Sequence, residues 1–181
     1  MVTFPLKGGH IEMYDFKFSE AGLTTWVLLR HTWSAMYNAA AVKLAKVGLT
    51  PEQIDVLWAC KANPGPCTPA EISRLIYRKT QSVAGLLNRM EREGFLTRIP
   101  KRKGHPFTEV KVTAKGEKAC GPGIDVVKDL VTRIMPTLSE EEHEQLQKLL
   151  RALLGKAVEE LHLELSPPPN RSAEEAIPIE W

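Results

Sequence analysis

Residues 68–118 read TPAEISRLIYRKTQSVAGLLNRMEREGFLTRIPKRKGHPFTEVKVTAKGEK. Thr68, Pro69 and Glu71 supply a side-chain cap, a proline at the first helical position and an acid in the first turn, so a short helix opens here. Ile72, Leu75 and Ile76 give it a face to bury. Arg78-Lys79 makes a basic break, and TQSVAGLLNRMEREG follows with Val83, Leu86, Leu87 and Met90 at helical spacing. At 100° per residue, Gln81, Gly85, Asn88 and Arg92 fall on the opposite side of that helix. Gly94 caps it. Phe95, Leu96 and Ile99 begin a strand, FLTRIPKRKGHPFTEVKV forms a hairpin with a basic tip, and a further helix starts at Thr113.

The charge follows the same boundaries. This stretch holds 12 Lys/Arg against 5 Asp/Glu, a net of +7, leaving 12 against 17 in the rest of a chain whose total is +2. A helix-turn-helix with a basic hairpin that gathers the positive charge of a near-neutral chain has the footprint expected for a polyanion. The fold class expected is mainly α with a small β-hairpin wing: a winged helix-turn-helix of residues 50–118 that binds double-stranded DNA.

Outward from this lobe, residues 1–18 form an arm with little periodicity. A long helix runs from about Ser19 to Val47, with Trp26, Leu29, Trp33, Met36 or Tyr37, Ala40, Leu44 and Val47 at helical spacing, and Gly48 ends it. Thr50, Pro51 and Gln53 make a capping box for the next helix, whose core face is Ile54, Val56 or Leu57, and Cys60 or Ala62. Asn63-Pro64-Gly65-Pro66 breaks it. After Thr113, Cys120-Gly121-Pro122-Gly123 predicts a kink or break, and Ile124, Val127, Leu130, Val131 and Ile134 continue an apolar stripe. Ser139-Glu140-Glu141-Glu142 caps a last helix bearing Leu146, Leu149, Leu150, Leu153, Leu154, Ala157, Val158 and Leu161. That stripe is too wide for a lone surface helix, so residues 19–47 and 124–163 are expected to form a homodimerisation region. Residues 166–181, with three consecutive prolines, read as a flexible tail.

At 181 residues and 43% hydrophobic, the chain can bury a core as one or two domains. No apolar run reaches the roughly 18 residues of a membrane span, and the N-terminus lacks a signal-peptide core. Cys60, Cys67 and Cys120 are odd in number and contain no CxxC, which suits reduced thiols in a cytoplasm. The histidines have no ligand spacing, so no metal site is expected. No nucleophilic triad, carboxylate pair, phosphate loop or nucleotide fingerprint is present, so neither an enzyme nor a cofactor is expected.

With those residues in place, the chain from about 20 to 163 resembles MarR-type winged-helix transcription regulators. GLLNRMEREGFLTRI followed by VKVTAKGEKA is similar to the family's "LE–x–x–G", strand-terminal Arg and "LT–x–x–G". Glu91, Gly94, Arg98, Thr113 and Gly116 occupy those positions, and Met90 and Val112 stand where Leu is commoner. The resemblance implies a ligand-responsive repressor, a homodimer on a pseudo-palindromic operator, and aromatic effectors bound between the dimerisation helices and the lobe. One departure concerns the wing. The family often carries Asp-x-Arg there, whereas this chain has Lys101-Arg102-Lys103-Gly104-His105-Pro106 without an acid. Arg102 is the first choice for the minor groove, because a guanidinium suits its narrow, electronegative floor.

The expected DNA-binding residues are Thr68, Arg78, Lys79, Thr80, Gln81, Ser82, Gly85, Asn88, Arg89, Lys101, Arg102 and Lys103. Gln81 suits adenine N6/N7, and Thr80 or Ser82 suits bases or phosphates. Gly85 removes bulk where the backbone nears DNA, and the basic residues suit phosphates. Fold alone is not function, so a winged-helix protein-interaction module is the alternative. For a small aromatic effector the pocket residues are Trp26, His31, Trp33, Tyr37 and Trp58, although aromatics at helical spacing are more often core or dimer contacts. A thiol-based redox sensor is a further alternative. Cys67, preceding a helix N-terminus, is its better candidate, and Cys60, on an apolar face, reads as inert packing.

Overall fold

The computed structural model describes residues 2–6, 9–13, 17–63, 67–100 and 108–161, with backbone alone before residue 17. It is mainly α with a small β-hairpin wing, as the sequence predicts. The helices are α1 (Ala21–Leu44), α2 (Pro51–Ala62), α3 (Pro69–Leu75), α4 (Thr80–Arg92), α5 (Ala114–Ile134) and α6 (Glu140–Glu160). Two antiparallel hairpins accompany them, β1 (Val2–Leu6) with β2 (Gly9–Met13) and β3 (Leu96–Ile99) with β4 (Glu109–Val112). The chain divides into two units, residues 1–39 and 40–181.

In the arm of residues 1–18, where periodicity is lacking, the backbone pairs from Val2 with Met13 to Leu6 with Gly9. Strand pairing is a backbone property, so it leaves little trace in a short mixed sequence.

The second unit holds the core. Leu44, Leu49, Ile54, Leu57, Ile72, Val83, Leu87, Met90, Leu96, Val110 and Ile124 are buried together. Its helix starts follow from the caps. Thr50 Oγ1 accepts from Gln53 N while Gln53 Oε1 accepts from Thr50 N, and Ser139 and Glu142 repeat this reciprocal box. Thr68 and Thr113 each accept one first-turn N–H. Gly48, at φ +74°, follows a short 3₁₀ turn that ends α1.

Of the kink or break expected at Cys120-Gly121-Pro122-Gly123, the break does not occur. Helix α5 runs through Pro122. Gly123 shows what holds it there. A Cβ on Gly123 would lie 2.7 Å from Ile54 Cδ1 and 2.8 Å from Leu49 Cδ1. Close packing against Ile54 of α2 and against Leu49 offsets the hydrogen bond that proline removes. Lys43 Nζ and Asp129, 2.6 Å apart, tie the end of α1 to the same helix.

Candidate nucleic-acid interface

Helix α4 is built to pack on one side and face solvent on the other. Val83, Leu86, Leu87 and Met90 are buried, while Gln81, Ser82, Gly85, Asn88, Arg89 and Arg92 are exposed. A Cβ on Gly85 would meet nothing within 4 Å, so the surface there is open to an incoming backbone.

The turn into α4 is fixed from inside. Buried Ser73 donates its hydroxyl to Arg78 O at 2.6 Å and accepts Arg78 N–H on its own carbonyl at 3.0 Å. Tyr77 there adopts φ +51°, a left-handed conformation that costs a non-glycine residue on the order of 1 kcal/mol. Lys79 is the N-cap of α4 and makes no side-chain cap hydrogen bond, and Thr80 beside it is exposed. Arg78 is exposed too, but its guanidinium lies 3.3 Å from Glu52 of α2, a partner the sequence did not indicate. Thr68 is partly buried and engaged in capping α3.

Several tethers hold the C-terminal end of α4. Glu91 accepts from Arg98 N and Nε at 2.9 Å each, and from its Nη2, which ties the helix to the first wing strand. Glu93 accepts from buried Gln53, and its carbonyl from Lys115 Nζ at 2.6 Å. Thr113 Oγ1 donates to Gly94 O at 2.6 Å. Val110 N donates to Cys67 O at 2.7 Å, so the second wing strand is anchored to the start of α3. These bonds set the angle between helix and wing. Lys101, Arg102 and Lys103, with Gly104, His105 and Pro106, lie outside the described residues.

Hydrogen bonds from Arg98 hold the Glu91 carboxyl below the usual glutamate range. A lowered folded-state pKa stabilises fully above the ordinary glutamate value, and the contribution is lost as pH falls through the lowered one. Glu91→Gln is therefore expected to cost about 1 kcal/mol at neutral pH, given the partial exposure of the pair. Urea unfolding of both proteins should show the gap closing as the solution is acidified. A gap independent of pH would mean that the ion pair contributes nothing.

The aromatic residues divide between the units. Trp26 and Trp33 are exposed, and the Trp33 and Tyr37 rings lie 6.0 Å apart at 48°. Arg30 Nη2 lies 3.1 Å from His31 Nε2. Trp58, in the second unit, is half-buried.

A family model described as MarR family matches residues 47–105, the segment that carries α2 to α4 and the first wing strand. No curated protein matches the sequence. Solved structures are similar in fold. The organohalide-sensing RdhR transcriptional regulator in its 2,4-dichlorophenol-bound form superposes with a TM-score of 0.76 at 19% identity, over 89% of this chain and 96% of that one. MepR of S. aureus in complex with DNA gives 0.69 at 24%, over 76% and 99%. A mutant MarR from E. coli with operator DNA gives 0.64 at 22%, over 71% and 92%. Among the described residues no helix is long and apolar enough to cross a membrane. The lobe over residues 47–105 is a MarR-family domain, set in a chain with the fold of the MarR-family transcription regulators.

Proposed function

We propose that this chain is a sequence-specific DNA-binding transcription regulator, a repressor acting as a homodimer on a pseudo-palindromic operator. The observation that carries this reading is the outward face of α4, with Thr80, Gln81, Ser82, Asn88 and Arg89 exposed around an open Gly85 while the opposite face is buried. Such a helix enters the major groove by its N-terminal half, where Gln81 would address base edges. Lys79 and Arg89, with Lys101, Arg102 and Lys103 of the wing sequence, would address phosphates or the minor groove. Arg78 would do so only by sharing or releasing Glu52. Similar structures hold DNA in MepR and MarR, which supports the same use here.

Release by a small aromatic ligand completes the proposal. Support comes from the RdhR structure with 2,4-dichlorophenol and from CouR with p-coumaroyl-CoA. Trp26, His31, Trp33 and Tyr37 of the first unit are the residues we propose for it, and Trp58 of the second is a separate candidate. A ligand lowers DNA affinity only by binding the DNA-incompetent conformation better than the competent one.

Selection of bound sequences from random duplex DNA, followed by anisotropy titration, tests the reading. Gln81→Ala is expected to cost roughly 1–3 kcal/mol on the selected site and little on random DNA. Lys79→Ala should weaken both and reduce the salt slope by about one. Absence of binding at low salt would favour a protein-interaction module instead. An unchanged sequence preference in Gln81→Ala would remove α4 from base reading.

A further inference from the structure

Seven residues apart in sequence, Cys60 and Cys67 meet in the fold. Cys60 lies in the last turn of α2, and Cys67 immediately precedes the N-cap of α3. Their Sγ atoms are 3.0 Å apart, with Cys67 buried and Cys60 partly exposed. A disulfide needs about 2 Å, so an approach of about 1 Å converts contact into a bond. The spacing does not advertise this, because no CxxC is present and the pair spans a helix end and the next helix start. The third cysteine, Cys120, is buried on α5.

We propose that Cys60 and Cys67 are a redox-convertible pair that closes to an intrachain disulfide under a two-electron oxidant and thereby shifts the root of the wing and weakens DNA binding. The last part rests on the function proposed above, whereas the thiol chemistry does not. With a hydroperoxide as oxidant, the partly exposed Cys60 sulfur attacks the peroxide oxygen, giving a sulfenic acid and releasing water when hydrogen peroxide is used. The Cys67 sulfur then displaces the sulfenic oxygen. The S–S bond forms as the S–O bond breaks, and the oxygen leaves as a second water carrying the Cys67 proton. Two electrons pass from the two thiols to one peroxide, and a dithiol reductant reverses the change.

The contact with Cys67, and burial after it, push the Cys60 thiol up, so little of it is thiolate at neutral pH. The pair therefore reacts slowly and responds to sustained rather than brief oxidant. Its mechanical output is local. Cys67 O accepts the Val110 N–H at 2.7 Å, and Cys67 adjoins Thr68, whose side chain caps α3. Drawing the Cys67 backbone towards α2 pulls on both the second wing strand and the helix-turn-helix.

The test uses the full chain, reduced or treated with hydrogen peroxide or with the dithiol oxidant diamide, then alkylated and digested for peptide mapping. The expected product joins the Cys60 and Cys67 peptides, disappears on treatment with dithiothreitol, persists in Cys120→Ala and is absent from Cys60→Ala and Cys67→Ala. Should Cys67→Ala fail to fold, Cys60→Ala, at the more exposed position, decides alone. Hydrogen exchange at the Val110 amide should be faster in the oxidised chain. Affinity for the selected DNA should fall about fivefold or more on oxidation, but not in Cys60→Ala. No Cys60–Cys67 link, a link through Cys120, or unchanged Val110 exchange would overturn the proposal, and a link without loss of affinity would overturn its regulatory half. A reduced chain that never binds DNA yet forms the link would instead sink the proposed function and leave the thiol pair standing.

Discussion

Replacing Leu150 and Leu154 together by Asp is expected to convert the proposed dimer into monomers or insoluble protein. Helix α6 buries none of its residues, and Leu149 at 62% exposure, Leu153 at 48% and Leu154 at 44% stand open. With Leu146, Leu150 and Leu161 they recur at three- and four-residue intervals, the spacing of a stripe that another surface covers. Burying one leucine contributes roughly 1.5–3 kcal/mol, so two carboxylates forced into the covered stripe remove that gain and add unpaired buried charge. Light scattering on the eluting protein gives the mass directly. DNA affinity should fall with the dimer, because two half-sites then no longer bind as one unit. A soluble dimer of unchanged stability would count against the assignment of α6.

What the sequence discloses and what it withholds divide along one physical line. Caps and stripes are local chemistry, so Thr50-Pro51-x-Gln53 and Val83/Leu86/Leu87/Met90 announce their helices before any fold is known. The α4 contacts to neighbouring elements are tertiary. Glu91 and Arg98 stand out as motif positions, yet only the fold shows a carboxylate bonded three times to one arginine. Likewise, Arg78 reads as a free cation until α2 brings Glu52 against it. Pro122 predicts an interruption from its own chemistry, and packing at Gly123 overrides it. The β1–β2 pairing carries no periodic signal at all. As for the candidate site, the exposed half of α4 is legible because exposure follows from the buried stripe opposite. The basic wing tip is legible only as composition.

Gly116 brings these two kinds of information together. Its motif position after Thr113 is visible in the sequence, while the reason for glycine is not. A Cβ there would lie 2.1 Å from Phe95 O and 2.6 Å from Val112 Cγ1. That same carbonyl accepts the Thr113 N–H at 3.0 Å, where α5 meets the root of the wing. A methyl group cannot fit without moving the Phe95 backbone and the Val112 side chain, so Gly116→Ala is expected to destabilise by about 3 kcal/mol or more. Gly85→Ala makes the instructive contrast. Open space surrounds Gly85 on α4, so alanine there should raise stability by up to about 1 kcal/mol through its helix propensity. If that face approaches DNA, the same methyl group should nevertheless weaken binding. Thermal unfolding and anisotropy on both variants should therefore give opposite stability changes with reduced DNA affinity in each. A Gly85→Ala protein that is more stable and binds as tightly as the parent would show that the α4 backbone keeps its distance from the duplex.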